Sequence, residues 1–133
     1  VASLVLFATA VLKLASLAAQ RAFFHSPDPV LEIPTGIVLA MSAVAELTLA
    51  TVQVSRRFSN LTAGVALLWF TTCSAVYRYV HGFTSSEPCP CLGYLPRLLY
   101  WGTQATNVVT VSLLALLSAA GLHLVLNARR NSP

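Results

Sequence analysis

Two thiols one residue apart, Cys89 and Cys91 in Glu87-Pro88-Cys89-Pro90-Cys91-Leu92-Gly93, are the sharpest chemical feature of the sequence. Thiols at this spacing can face one partner together. A disulfide between them closes a small, strained ring, and strain makes such a bond easier to reduce. Pro90 fixes one backbone torsion between them and limits how far they splay apart. The pair is therefore suited to exchanging disulfides with a second protein. Two other readings of the same residues stay open. A structural staple spanning one residue restrains almost no chain, so entropy gives little reason for it. A metal site could use both thiolates and His81, which suit Cu(I), or zinc with one further ligand. No fourth ligand is evident, and the cysteine spacing is short for zinc. The third cysteine, Cys73, is expected roughly 10 Å inside its helix at 1.5 Å per residue, buried as a small hydrophobe.

Lys13 and Glu46 are charged groups inside apolar stretches. Either alone is costly in lipid, so both should face the interior of a bundle. Their depths differ by roughly 9 Å. Helical side chains lean toward their own N-terminus, and the two helices run in opposite senses, so the groups converge. A Lys13–Glu46 pair would hold the first two helices together. The functional reading of the same residues is a proton or quinone-headgroup site at Glu46. Ser74, Arg78 and His81 share one helix face, as do Thr103, Asn107 and Thr110 on the next helix. Arg78 or His81 could stabilise a thiolate at Cys89 or Cys91. The blander reading has Arg78 snorkelling to the interface and the Thr/Asn face bonding across helices. His123 has no visible partner.

The elements that must position these groups follow from composition. Of 133 residues 56% are hydrophobic and 9% charged, against about 25% charged in an ordinary soluble domain. Eight basic and four acidic residues cannot cover a water-facing surface, and the basic ones are too scattered to bind nucleic acid. Four segments, 1–19, 34–54, 61–80 and 100–126, approach the ~20 apolar residues that cross a bilayer. Lipid offers backbone groups no water, so they should be helices: an all-α, integral membrane four-helix bundle with short loops, forming a single domain over 1–133. The first segment reads as a span rather than a signal peptide. The sequence opens on Val1, so an initiator or longer leader is expected before it.

Residues 20–33 read as an extended loop ending where Pro34 can open the second helix. Residues 55–60 form a tight turn that makes the second and third helices antiparallel neighbours. The longest loop, 81–99, carries the cysteines. Arg56-Arg57 and Arg129-Arg130 share one side against Arg21, Arg97 and, at a helix edge, Arg78 on the other, and the pairs' closeness to the spans in short segments predicts both termini in the cytoplasm and the cysteine loop outside. Phe23, Phe24, Tyr77, Tyr79, Phe83, Tyr94, Tyr100 and Trp101 would form an aromatic belt at the outer interface of the cytoplasmic (inner) membrane.

With Lys13 late in the first span, a proline-bearing first loop, Glu46 in the second span and Cys89-Pro90-Cys91-Leu92-Gly93 after the third, the chain resembles the MauE branch of the DoxX-like membrane proteins. Its Cys-Pro-Cys-Leu-Gly looks like that family's Cys-x-Cys-[Phe/Leu]-Gly motif. The resemblance implies work alongside a periplasmic thioredoxin-like partner, in disulfide formation or cofactor maturation of exported enzymes. Through the DoxX relatives it also implies electron exchange with quinone. The Cys-Pro-Cys is similar to the redox pair of the mitochondrial intermembrane-space import oxidoreductase. The Cys-x-x-Cys of vitamin K epoxide reductase relatives is lacking. The leading expectation is a membrane-embedded thiol-redox protein with Cys89 and Cys91 as the exchanging pair. A non-catalytic accessory or assembly subunit of a larger membrane complex is the alternative. A transporter comes third, since no helix looks broken.

Overall fold

The computed structural model describes residues 1–19, 25–55, 58–84, 92, 100 and 102–130. They form four helices: α1 (Ala2–Ala19), α2 (Thr35–Val54), α3 (Asn60–Thr84) and α4 (Thr103–Arg130). A helix falls in each of the four expected segments. The last two reach further than their apolar stretches, to Thr84 rather than Val80 and to Arg130 rather than Leu126, because a helix continues into polar sequence until something stops it.

The helix starts have local causes. Pro34 caps α2 at φ −53° and ψ 128°, and its carbonyl accepts from Ile37 N–H at 2.8 Å. Proline suits this place because the missing N–H would have had no helical partner. Ser59 caps α3, its Oγ accepting from Thr62 N–H at 3.1 Å.

The distribution of side chains is inverted relative to a protein in water. Trp69 is 73% exposed and Met41 65%, whereas Lys13 and Glu46 are 4% and 5% exposed. Outward-facing threonines look after themselves: the hydroxyls of Thr48, Thr51 and Thr72 donate to carbonyls of their own helices at 2.7–3.0 Å. That is what a medium without hydrogen-bond partners demands. Among the described residues three helices, α1, α2 and α4, are long and apolar enough to cross a membrane. The chain is a membrane protein. The third helix is longer than the expected third span and less apolar. Its 25 residues cover about 37 Å, but Asn60, Arg78, His81 and several hydroxyl residues dilute it.

Closest packing occurs within two helical pairs, α1 with α2 and α3 with α4. The helices α2 and α3, expected as neighbours, do touch but pack less closely than either pair. Small residues explain the pairs. Ala10 and Ala43 are fully buried on α1 and α2. On α3, a Cβ added to Gly64 would stand 2.9 Å from the carbonyl oxygen of Gly121 on α4, so the two backbones touch there. The pairs meet through a plug of Leu6, Ala50, Leu67 and Leu117, one residue from each helix.

The first loop departs from expectation. Residues 26–35 are folded back on themselves rather than extended. Thr35 N–H donates to the Ser26 carbonyl at 3.0 Å, Asp28 N–H to Ile33 at 2.8 Å and Glu32 N–H to Asp28 at 2.9 Å, and Glu32 takes a positive φ of 56°. Asp28 organises this turn. Its Oδ1 accepts from Val30 and Leu31 N–H at 2.9 and 3.0 Å, an aspartate bonding the backbone just ahead of it.

Candidate functional site

Beyond the leucine plug, toward the first loop, the two pairs part around a cavity of about 240 Å³. Each helix gives it one stripe at helical spacing. The stripes are Val5, Thr9 and Lys13 from α1; Leu39, Ser42 and Glu46 from α2; Phe70, Cys73, Ser74 and Tyr77 from α3; and Thr110, Leu113, Leu114 and Leu117 from α4. Leu92 completes the lining and is 4% exposed.

The polar part of this wall is the pair expected from charge and helix direction. Lys13 Nζ donates to Glu46 Oε1 and, at 2.8 Å, to Ser42 Oγ. The pair joins α1 to α2 as anticipated, and both residues line the cavity. The carboxylate is only half used. Among the described residues Glu46 Oε2 is buried without a hydrogen-bond partner, with the Thr9 hydroxyl the other polar group beside the carboxyl. Thr9 already donates to the carbonyls of Val5 and Leu6, both at 3.0 Å.

At the loop end Tyr77 closes the site. It was expected in the outer aromatic belt, yet its ring lines the cavity and its hydroxyl donates to Asp28 Oδ2. Asp28 is 1% exposed. This bond ties α3 to the loop between α1 and α2, across the gap between the pairs. Tyr79, Phe83 and Tyr100 do lie exposed, and Tyr79 and Phe83 pack edge to face at 4.8 Å.

Other expected residues fall as follows. Cys73 is a free thiol and exposed, not buried. It stands on the stripe that α3 turns to the cavity, while Gly64 and Leu67 turn inward. Sequence depth locates a residue along a helix but not around it. Arg78 donates to Asn107 Oδ1 on α4 at 2.5 Å, so the α3–α4 polar contact is made by an arginine that was expected to snorkel. Its Nη1 is buried without a partner among the described residues. Thr110 bonds its own helix at Thr106 rather than crossing to α3. His81 is buried, one turn from Tyr77 with ring centroids 6.0 Å apart. His123 does have a neighbour, the Asn127 amide at 3.4 Å.

Cys89 and Cys91 lie outside the described residues, as do Arg21, Arg56, Arg57, Glu87, Arg97, Phe23, Phe24, Tyr94 and Trp101. The thiol pair, its relation to Arg78 and His81, and much of the belt are therefore readings of the sequence. No cluster of His, Cys, Asp and Glu suited to a metal ion occurs among the described residues. Sequence reasoning missed Ser42, Tyr77 and Asp28 as parts of one site. A serine four residues before Glu46, on the same face, was the available signal for the first. No protein-family model, curated protein or solved structure matches the chain.

Proposed function

We propose that the chain is a membrane-embedded thiol-redox protein. Cys89 and Cys91 exchange a disulfide with an extracytoplasmic thioredoxin-like protein, and electrons pass between that pair and a quinone ring seated beside Glu46 and Lys13. One observation carries this reading. A single cavity is lined both by the buried Lys13–Glu46 pair and by Leu92, the residue that directly follows Cys91.

The lining suits a ring. An apolar cavity of about 150 Å³ accepts benzene, so 240 Å³ has room for one substituted ring. Leucine, valine and phenylalanine side chains supply most of the wall, and a few convergent polar groups orient what enters. The paired arginines at 56–57 and 129–130 support both termini in the cytoplasm and the cysteine loop outside, where a disulfide can persist. The likeness to the MauE branch of DoxX-like proteins points the same way. Arg78, with one nitrogen unpaired among the described residues, is the cation we assign to a thiolate in the loop, with His81 as the buried neighbour on the same face.

Mass-tagging of thiols in native membranes tests the reading. Cys89 and Cys91 should occur in both reduced and disulfide forms. A Cys89→Ser or Cys91→Ser variant should trap a thioredoxin-like protein as a mixed disulfide. A pair that stays reduced throughout, or a partner whose redox state ignores the double Ser replacement, contradicts the proposal.

A further inference from the structure

Along the bundle the cavity is closed at both ends. The plug of Leu6, Ala50, Leu67 and Leu117 fills one, and the Tyr77–Asp28 bond with buried Leu92 closes the other. Its side is open at one place. Among the described residues that line it, Cys73 alone is exposed, and the others are buried or half-buried. A residue that both lines a cavity and faces outward stands at its mouth.

The position of Cys73 on α3 gives the direction of that mouth. Gly64 faces α4, and Cys73 follows it by about two and a half turns, so Cys73 faces away from α4. The neighbour on that side is α2, which packs against α3 less closely than α4 does. It adds half-buried Val38 and Ser42 to the lining. Depth follows from register. The Gly64–Gly121 and Arg78–Asn107 contacts belong to one antiparallel register, which sets Cys73 level with Ser112. That is roughly 13 Å from the nearer end of α4 at 1.5 Å per residue, on a helix able to cross a membrane. The mouth meets lipid, not water.

We infer that the ring enters from the lipid between α2 and α3 and carries an apolar tail that leaves past Cys73. The inference rests on the ring-binding reading above. Size requires the exit. A cavity of about 150 Å³ takes the six carbons of benzene, so by proportion 240 Å³ holds about ten atoms, and a ring with a longer chain can seat only its head. A tail passing through this mouth stays in lipid whether the ring is bound or free.

An affinity label tests the route. The probe is a trimethylbenzoquinone whose fourth ring position carries a short alkyl chain ending in an iodoacetamide; full substitution blocks thiol addition to the ring. It is given to the protein in lipid nanodiscs beside a ringless alkyl iodoacetamide of the same chain, and adducts are located by peptide mass spectrometry. Binding of tetramethylbenzoquinone is measured separately by equilibrium dialysis. Holding the ring in the cavity raises the concentration of the reactive end at Cys73. Saturating tetramethylbenzoquinone should therefore slow alkylation of Cys73 by the ringed probe about tenfold or more, and by the ringless one less than about twofold. Equal slowing of the two, no slowing, or a competed adduct at Cys89 or Cys91 instead overturns the exit past Cys73. Ring binding then stands on the dialysis result. Failure of tetramethylbenzoquinone to bind in dialysis overturns the ring site, and the route with it.

Discussion

At the scale of single residues, the Lys13–Glu46 pair decides most. Each charge would be expensive alone in lipid, and helix direction brings the two together across their difference in depth. Both facts are readable from sequence, because they depend only on position along a helix and on chain sense. The other half of the site was hidden. An aspartate in a proline-containing loop reads as a turn former, which Asp28 is, but nothing in its surroundings says that its second oxygen reaches α3. Tyr77 reads as an interface aromatic because depth is legible while azimuth is not. The energetic consequence of the pair can be measured. Lys13→Ala leaves the carboxylate buried alone and should cost about 3–5 kcal/mol, whereas replacing both partners by apolar residues of similar volume is close to neutral. Unfolding in mixed micelles should therefore rank Lys13→Met/Glu46→Leu well above Lys13→Ala. The double variant should fold. A double variant whose loss equals the sum of the single losses would show that the two residues do not act as a pair.

At the scale of elements, four helices were legible from apolar runs, as was the Pro34 start of α2. Their grouping was not. Short turns report which helices follow one another, while Gly64 against Gly121 and Ala10 near Ala43 determine which pack closely. The result is two firm pairs with few contacts between them, and the cavity occupies the weakly held seam. Tyr77 clasps that seam through Asp28. Removing one hydroxyl tests the clasp with little change in volume. Tyr77→Phe should let the pairs separate more often at the loop end and speed amide hydrogen exchange of residues 26–35 several-fold. Asp28 keeps its two backbone donors at Oδ1, and losing the hydroxyl at buried Oδ2 costs about 1.5–3 kcal/mol, so the fold should survive. An unchanged exchange rate in a well-folded variant would mean that the leucine plug alone holds the seam.

At the scale of the whole molecule, lipid is the solvent that makes the arrangement consistent. Exposed Trp69 and Met41, threonines bonded to their own backbones, and ionic groups turned inward are all explained by one medium. Composition made that medium legible at once. The side on which the cysteines lie rests on four arginines, and the proposed exchange with an extracytoplasmic partner depends on it. The direct measurement uses Cys73→Ser protein in intact, reductant-treated spheroplasts exposed to a membrane-impermeant maleimide. Cys89 and Cys91 should label before lysis to the same extent as after it. Labelling that appears only once the membrane is broken would put the thiol pair on the cytoplasmic side and contradict the proposed redox route.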